Sequence, residues 1–173
     1  VLVALLPAML TTIKLMLVTI IVSIPVAILL GVAAARKPNG WVDNLIGLFA
    51  FASISLPNFW FALLLIMLFA VQLGWLPASG SPMSRNADLW TQARHMILPV
   101  TVLALTYVGP LLRYVRASMI ETLGSDFVRT ARSKGLSETE VIFRHALRNA
   151  LIPMVTVMAL SFGSLFSGAL VTE

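Results

Sequence analysis

From Asn44 to Ser84 the chain carries no charged side chain, and the same holds from Leu15 to Ala35. Stretches this long without a charge, packed with Leu, Ile, Val, Phe and Ala, cannot be the half-exposed elements of a water-soluble domain. A bilayer core about 30 Å thick is crossed by roughly 20 mainly apolar residues in a helix. In lipid, backbone amides and carbonyls must be satisfied internally, which leaves helices or closed barrels. Runs so continuously apolar lack the alternation of barrel strands, so the predicted fold is an all-α membrane protein, a polytopic transmembrane helix bundle. Composition agrees: 59% of residues are hydrophobic, 11% are charged and the mean hydropathy is +0.96, against about a quarter charged in an ordinary globular domain.

Four spans are predicted, over 6–35, 45–73, 96–116 and 151–171, in a single transmembrane domain over 1–173. The chain opens on Val1 and closes on Glu173 after an apolar run, and it is expected to be an internal segment of a longer protein. No basic n-region with a cleavage site is visible. Without cysteine there is no disulfide, thiolate metal site or thiol nucleophile.

The bases set the topology. Arg36, Lys37, Arg113, Arg116, Arg129, Arg132, Lys134, Arg144 and Arg148 are nine of the 12 Lys and Arg residues, and all fall in or beside two loops on one side. Lys14, Arg85 and Arg94 fall on the other. By the positive-inside rule the loop over 117–150 is cytoplasmic, and the loop containing Trp75, Pro77, Gly80 and Pro82 is external. Trp75 suits the interfacial aromatic belt.

The cytoplasmic loop carries signals for two short helices meeting at a turn. Ser125 or Asp126 can cap the first, and its last turns hold bases that complement the helix dipole. Gly135 stands where a left-handed residue would end it. Ser137 and Glu140 form a capping box with Leu136 and Val141 as a hydrophobic staple, and Glu140 precedes Arg144 by four residues. Val141, Ile142, Ala146 and Leu147 offer an apolar surface, and Pro153 marks where the next span restarts. The residues alone allow an amphipathic pair resting on lipid headgroups or a rigid element built for a partner. A helix-turn-helix reading DNA is excluded, because spans begin within a few residues of both ends.

The run Asp126-Phe127-Val128-Arg129-Thr130-Ala131-Arg132-Ser133-Lys134-Gly135-Leu136, with Arg144-His145-Ala146-Leu147-Arg148-Asn149-Ala150-Leu151-Ile152-Pro153, resembles the signature loop of inner-membrane permeases of binding-protein-dependent ABC importers. More narrowly it resembles the dipeptide/oligopeptide/nickel permease family, as do Ser55-Leu56-Pro57-Asn58-Phe59-Trp60, Gly74-Trp75-Leu76-Pro77-Ala78-Ser79-Gly80, His95-Met96-Ile97-Leu98-Pro99 and Arg113-Tyr114-Val115-Arg116-Ala117-Ser118-Met119-Ile120-Glu121. Against the broad signature pattern Ala131, Gly135 and Leu147 match. Arg129 and Thr130 replace a Glu-Ala pair, and His145 and Arg148 stand where an aliphatic residue and proline are usual, which resembles the peptide-permease variant.

That resemblance implies a type I ABC importer transmembrane domain in a bacterial or archaeal inner membrane, crossing it several times. It implies transport of peptides, nickel or a related solute through this chain and a second permease subunit, fed by an external solute-binding protein. The loop would be a coupling helix docking on a cytoplasmic ATPase through Asp126, Arg129, Thr130, Ala131, Lys134, Gly135, Leu136, Ser137, Glu140, Arg144, His145, Leu147, Arg148 and Asn149. ATP and Mg would sit on that ATPase. This chain has no GxxxxGK[ST] loop, nucleophile elbow or HExxH site, so it is expected not to be an enzyme. It is expected to bind no cofactor, metal or nucleic acid itself.

Polar groups within the spans are the candidate pathway residues: Ser53 and Asn58 around Pro57, and Ser161 and Ser164 in the last span. Each also has a packing reading, as a satisfied kink at Pro57 and as small residues at a close helix crossing. Lys14 can snorkel to the boundary or meet substrate. Glu173 can be a boundary residue or part of a gate. His95 and His145 fall on opposite sides and cannot share a metal; His145 belongs to the coupling surface or is a satisfied interfacial histidine. An ion-gradient-driven secondary transporter or channel is the alternative, although its usual intramembrane ionisable groups are represented only by Lys14, at a span edge.

Overall fold

The computed structural model describes residues 2–78 and 88–156. Among them every regular element is helical: α1 (Leu2–Ala35), α2 (Trp41–Ser55), α3 (Asn58–Leu65) running on as π-helical turns Ile66–Gln72, α4 (Leu89–Leu123), α5 (Asp126–Ser133) and α6 (Glu138–Glu140) running on as π-helical turns Val141–Ala146. Helical backbone continues through 147–156. α1 and α4 are long and apolar enough to cross a membrane.

The stretch predicted as one span over 45–73 is two helices, α2 and α3 with its π-helical extension, bent by 102°. The cause is local. Pro57 has no N–H to donate to the carbonyl of Ser53, and its ring disfavours helical backbone at Leu56. The last bond of α2 runs from the Leu56 amide to the Ala52 carbonyl. Pro57 then adopts φ −61°, ψ 128° as the residue before α3, and its own carbonyl accepts from the Phe61 amide. A proline read as a kink is a break. In α4 the outcome is opposite: Pro99 and Pro110 sit inside a continuous helix of 35 residues. That helix extends beyond the span predicted over 96–116, so the loop proper starts after Leu123.

The chain forms two compact units, residues Val1–Val26 with Phe49–Pro110, and residues Ala27–Leu48 with Leu111–Glu173. Within the first, α2 crosses α4 where Gly109 leaves little room for a side chain. A Cβ on Gly109 would stand 1.9 Å from the Ser53 Oγ and 3.2 Å from the Ala50 carbonyl oxygen. Ala50 and Ser53 are buried there, and the Ser53 hydroxyl donates to the Ala50 carbonyl at 2.8 Å. Small residues thus let two backbones approach, the packing logic of helices in lipid. α3 and its extension bury no residue in this chain.

The second unit has its core on α4. Leu112, Val115 and Met119 are wholly buried, as are Val128, Val141 and Ala146 from the loop, and Ile142 and Ala150 nearly so. The spacing 112, 115, 119 is the i, i+3, i+7 stripe of a helix face. α1 lies so close to it that a Cβ on Gly31 would meet the Val115 Cγ1 at 2.6 Å and the Leu112 carbonyl oxygen at 3.0 Å.

Candidate functional site: the loop between α4 and the following helix

The loop is folded from end to end. At the close of α4 the Gly124 amide donates to the Ile120 and Glu121 carbonyls. Ser125 precedes α5 with extended backbone, yet its hydroxyl donates back to the Thr122 carbonyl at 2.5 Å and caps nothing. The start of α5 has Asp126 in its first turn and the end has Arg132 in its last, both of the sign that suits the helix dipole. Val128 and Ala131 form its buried face, and α5 packs against the 141–146 turn.

Gly135 ends α5 as expected, at φ +78° with its amide on the Arg132 carbonyl at 2.9 Å. The capping box is half formed. The Ser137 Oγ accepts from the Glu140 amide at 3.3 Å, whereas the Glu140 carboxylate has turned to Arg144 at 3.0 Å. A stronger feature spans the turn: the Arg132 guanidinium grips the Glu138 carboxylate with Nε at 3.1 Å and Nη2 at 2.7 Å. This fork holds the Glu138 carboxyl below its ordinary range, chiefly through the hydrogen bonds from Arg132, and the charge of Arg36 adds to the effect. Sequence reasoning missed this pair, six residues apart. Its signal was the placement of an Arg in the last turn before Gly135 and a Glu in the first turn after it.

The other predicted loop residues divide by exposure. Asp126 and Arg129 have side chains 97% and 77% exposed and pair loosely at 3.5 Å. Thr130, Lys134, Ser137, Arg144, Arg148 and Asn149 are also exposed. Leu136, Glu140, His145 and Leu147 are half-buried. Ala131 is in the core, so it shapes the outer surface without belonging to it. The Thr130 hydroxyl donates to the Asp126 carbonyl at 2.9 Å, and the Asn149 amide nitrogen donates to the His145 carbonyl at 2.9 Å.

Of the candidate pathway residues, Ser53 and Asn58 lie among the described residues, each with its own hydrogen-bond partner. Ser53 is buried at the Gly109 crossing and is bonded to its own helix. Asn58 is exposed and its Oδ1 accepts from the Thr106 hydroxyl on α4 at 2.9 Å. Ser161 and Ser164 lie outside the described residues, as does Glu173. Lys14 is exposed on α1. Unforeseen were Thr19 and Ser23, a turn apart on α1 and both buried; Thr19 donates to the Leu15 carbonyl at 2.8 Å. At the end of the first unit, a cavity of about 290 Å³ is lined by Gly74, Leu76, Pro77, Thr91, Arg94 and His95. The Arg94 guanidinium there donates to the Trp75 carbonyl.

Apolar helices long enough to cross a membrane, with a folded, charge-bearing loop after α4, define a polytopic membrane protein. Residues 27–173 match the family described as binding-protein-dependent transport system inner membrane component, and the chain belongs to it. It is 40% identical over 163 residues to the oligopeptide transport system permease protein AppB of Bacillus subtilis, covering 94% of this chain and 52% of that protein. It is 45% identical over 143 residues to the glutathione transport system permease protein GsiC of Escherichia coli K12, covering 83% of this chain and 44% of that one. A putative peptide transport system permease protein of Brucella abortus is 42% identical over 163 residues, 94% of this chain and 51% of that protein. The chain spans about half the length of the curated relatives it matches.

Proposed function

We propose that this chain is the membrane core of a permease subunit of an ATP-driven importer of peptides or peptide-like solutes such as glutathione. It works in a bacterial or archaeal inner membrane, crosses it several times and pairs with a second permease subunit. An external solute-binding protein delivers the solute. The folded loop between Gly124 and Ala146 docks on a cytoplasmic ATPase subunit that carries ATP and Mg; the chain itself binds no cofactor and catalyses no reaction. Supporting this reading most directly, a loop with a side-chain cap at Ser137, a left-handed turn at Gly135 and the Arg132–Glu138 and Glu140–Arg144 ion pairs has the stiffness to transmit displacement as a body. Its outward face carries Asp126, Arg129, Thr130, Lys134, Arg144 and Arg148, side chains suited to a polar interface rather than to lipid tails.

The test is uptake by the full-length permease, reconstituted with its partner permease, ATPase and binding protein. A dipeptide, an oligopeptide and glutathione are offered in turn. Accumulation of one of them that requires ATP and survives ionophores is expected. Accumulation driven by an ion gradient without the ATPase would instead make this chain part of a secondary transporter.

A further inference from the structure

Before the loop begins, α4 is fastened to its neighbours in the second unit in three ways. Arg116 reaches Asp43 in the first turn of α2 with a two-pronged grip, Nε to Oδ1 at 2.5 Å and Nη2 to Oδ2 at 2.6 Å. The Asp43 side chain is 5% exposed. Its Oδ2 also accepts from the Asn39 amide at 2.7 Å, in a turn where Asn39 stands at φ +62°. Next to Arg116, Val115 is packed against Gly31 of α1 with no room for a methyl group. One turn on, the Ser118 hydroxyl donates to the Ala150 carbonyl at 2.8 Å, on the helix that leaves the loop.

An ion pair with its carboxylate buried and its guanidinium 31% exposed is a poor way to gain stability alone, because desolvation offsets much of the attraction. A planar guanidinium forked onto a carboxylate does, however, fix both distance and orientation. Here the fork joins the helix entering the loop to the turn between α1 and α2, while Ser118 joins it to the helix leaving.

We propose that Arg116, gripped by Asp43, is the positioning residue through which displacement of the loop reaches α1 and α2. The inference rests on the coupling role proposed above. When the loop moves, Arg116 carries the α1–α2 turn with it; a looser joint lets the loop move while the turn stays behind. The ATPase then still docks and hydrolyses, but less of the stroke reaches the solute pathway.

The experiment uses the full-length permease in the reconstituted transporter with two variants. Arg116→Lys keeps the charge but loses the fork. Asp43→Asn combined with Arg116→Gln removes both charges, so no buried charge is orphaned. Membrane accumulation, ATPase co-purification, ATP hydrolysis and solute uptake are measured for each. Both variants are expected to co-purify the ATPase and hydrolyse ATP at the wild-type KM, with uptake per ATP falling on the order of tenfold, the size of an ordinary coupling between sites. Wild-type uptake per ATP in either variant overturns the proposal. So does parallel loss of ATPase co-purification and uptake, which would make the pair a prop for docking. If neither variant accumulates, the pair is a folding staple and the proposal also fails. Absence of ATP-driven uptake by the wild type would instead remove the importer reading, and this inference with it.

Discussion

A Cβ added to Gly135 would meet nothing within 4 Å, so any cost of substitution there comes from the backbone alone, at φ +78°. For a residue with a side chain, that left-handed conformation costs about 1–2 kcal/mol, least for Asn and most for β-branched residues. Gly135→Asn should therefore couple nearly as the wild type does, Gly135→Ala less well, and Gly135→Val worst. All three should accumulate normally in the membrane, because no apolar span is altered. Uptake and ATPase co-purification at matched membrane levels give the ranking; equal coupling by Asn and Val would show that the left-handed turn does not matter. Gly109 is the converse case, a glycine required by space. Gly109→Ala should lower thermal stability of the purified protein by about 1–3 kcal/mol, the usual cost of overpacking. Adding Ser53→Ala should recover part of that, because it removes the 1.9 Å conflict but not the 3.2 Å one. No recovery at all would place the strain elsewhere. Gly135 was legible in the sequence because its role is local. Gly109 was not, since nothing in the sequence near residue 109 says that Ser53 lies across from it.

Among the elements, the loop was the most legible, and the reasons are the same local ones. The Gly turn, the Ser137 cap and the Glu140–Arg144 pair all act within a few residues of chain, where spacing determines geometry. The Arg132–Glu138 fork was missed because it crosses a turn, where helical spacing rules give no guidance. The break at Pro57 is not legible in the sequence, because a proline inside an apolar run supports either outcome, as α4 shows by continuing through Pro99 and Pro110. The fork predicts a pH response of known sign. Glu138 has its carboxyl lowered by Arg132, so the fork's contribution is full above the ordinary glutamate value of 4.5 and is lost as pH falls through the lower value of the folded loop. A spin label at Thr139 should keep constant mobility from neutrality down to about pH 4.5, then loosen with further acidification. Glu138→Gln should be looser at neutral pH and lack the acid transition. The effect is small, since an exposed pair contributes about 0.2–1 kcal/mol. An unchanged acid transition in Glu138→Gln would assign the response to another group.

For the whole molecule, the distribution of bases and apolar runs was enough to assign fold class, because long uncharged runs without strand alternation can cross a bilayer only as helices. What composition could not reveal were the two compact units and the joints inside them, such as Asp43–Arg116, which bring together residues distant in sequence. The sidedness of the loop was likewise read from charge alone. Cysteine introduced at Ser137 should react with an impermeant reagent only from the cytoplasmic face, and cysteine at Ala78 only from outside. Coupling through the α5–α6 loop requires that this loop meet the ATPase. This chain has no cysteine of its own, and any others in the full-length protein can be replaced. A single cysteine at Arg129, whose side chain is 77% exposed on α5, can then be offered a photoactivatable crosslinker in the assembled transporter. The expected result is a crosslink to the ATPase subunit whose yield changes with ATP, and loss of uptake once it forms. Crosslinking only to lipid, with uptake intact, would contradict it.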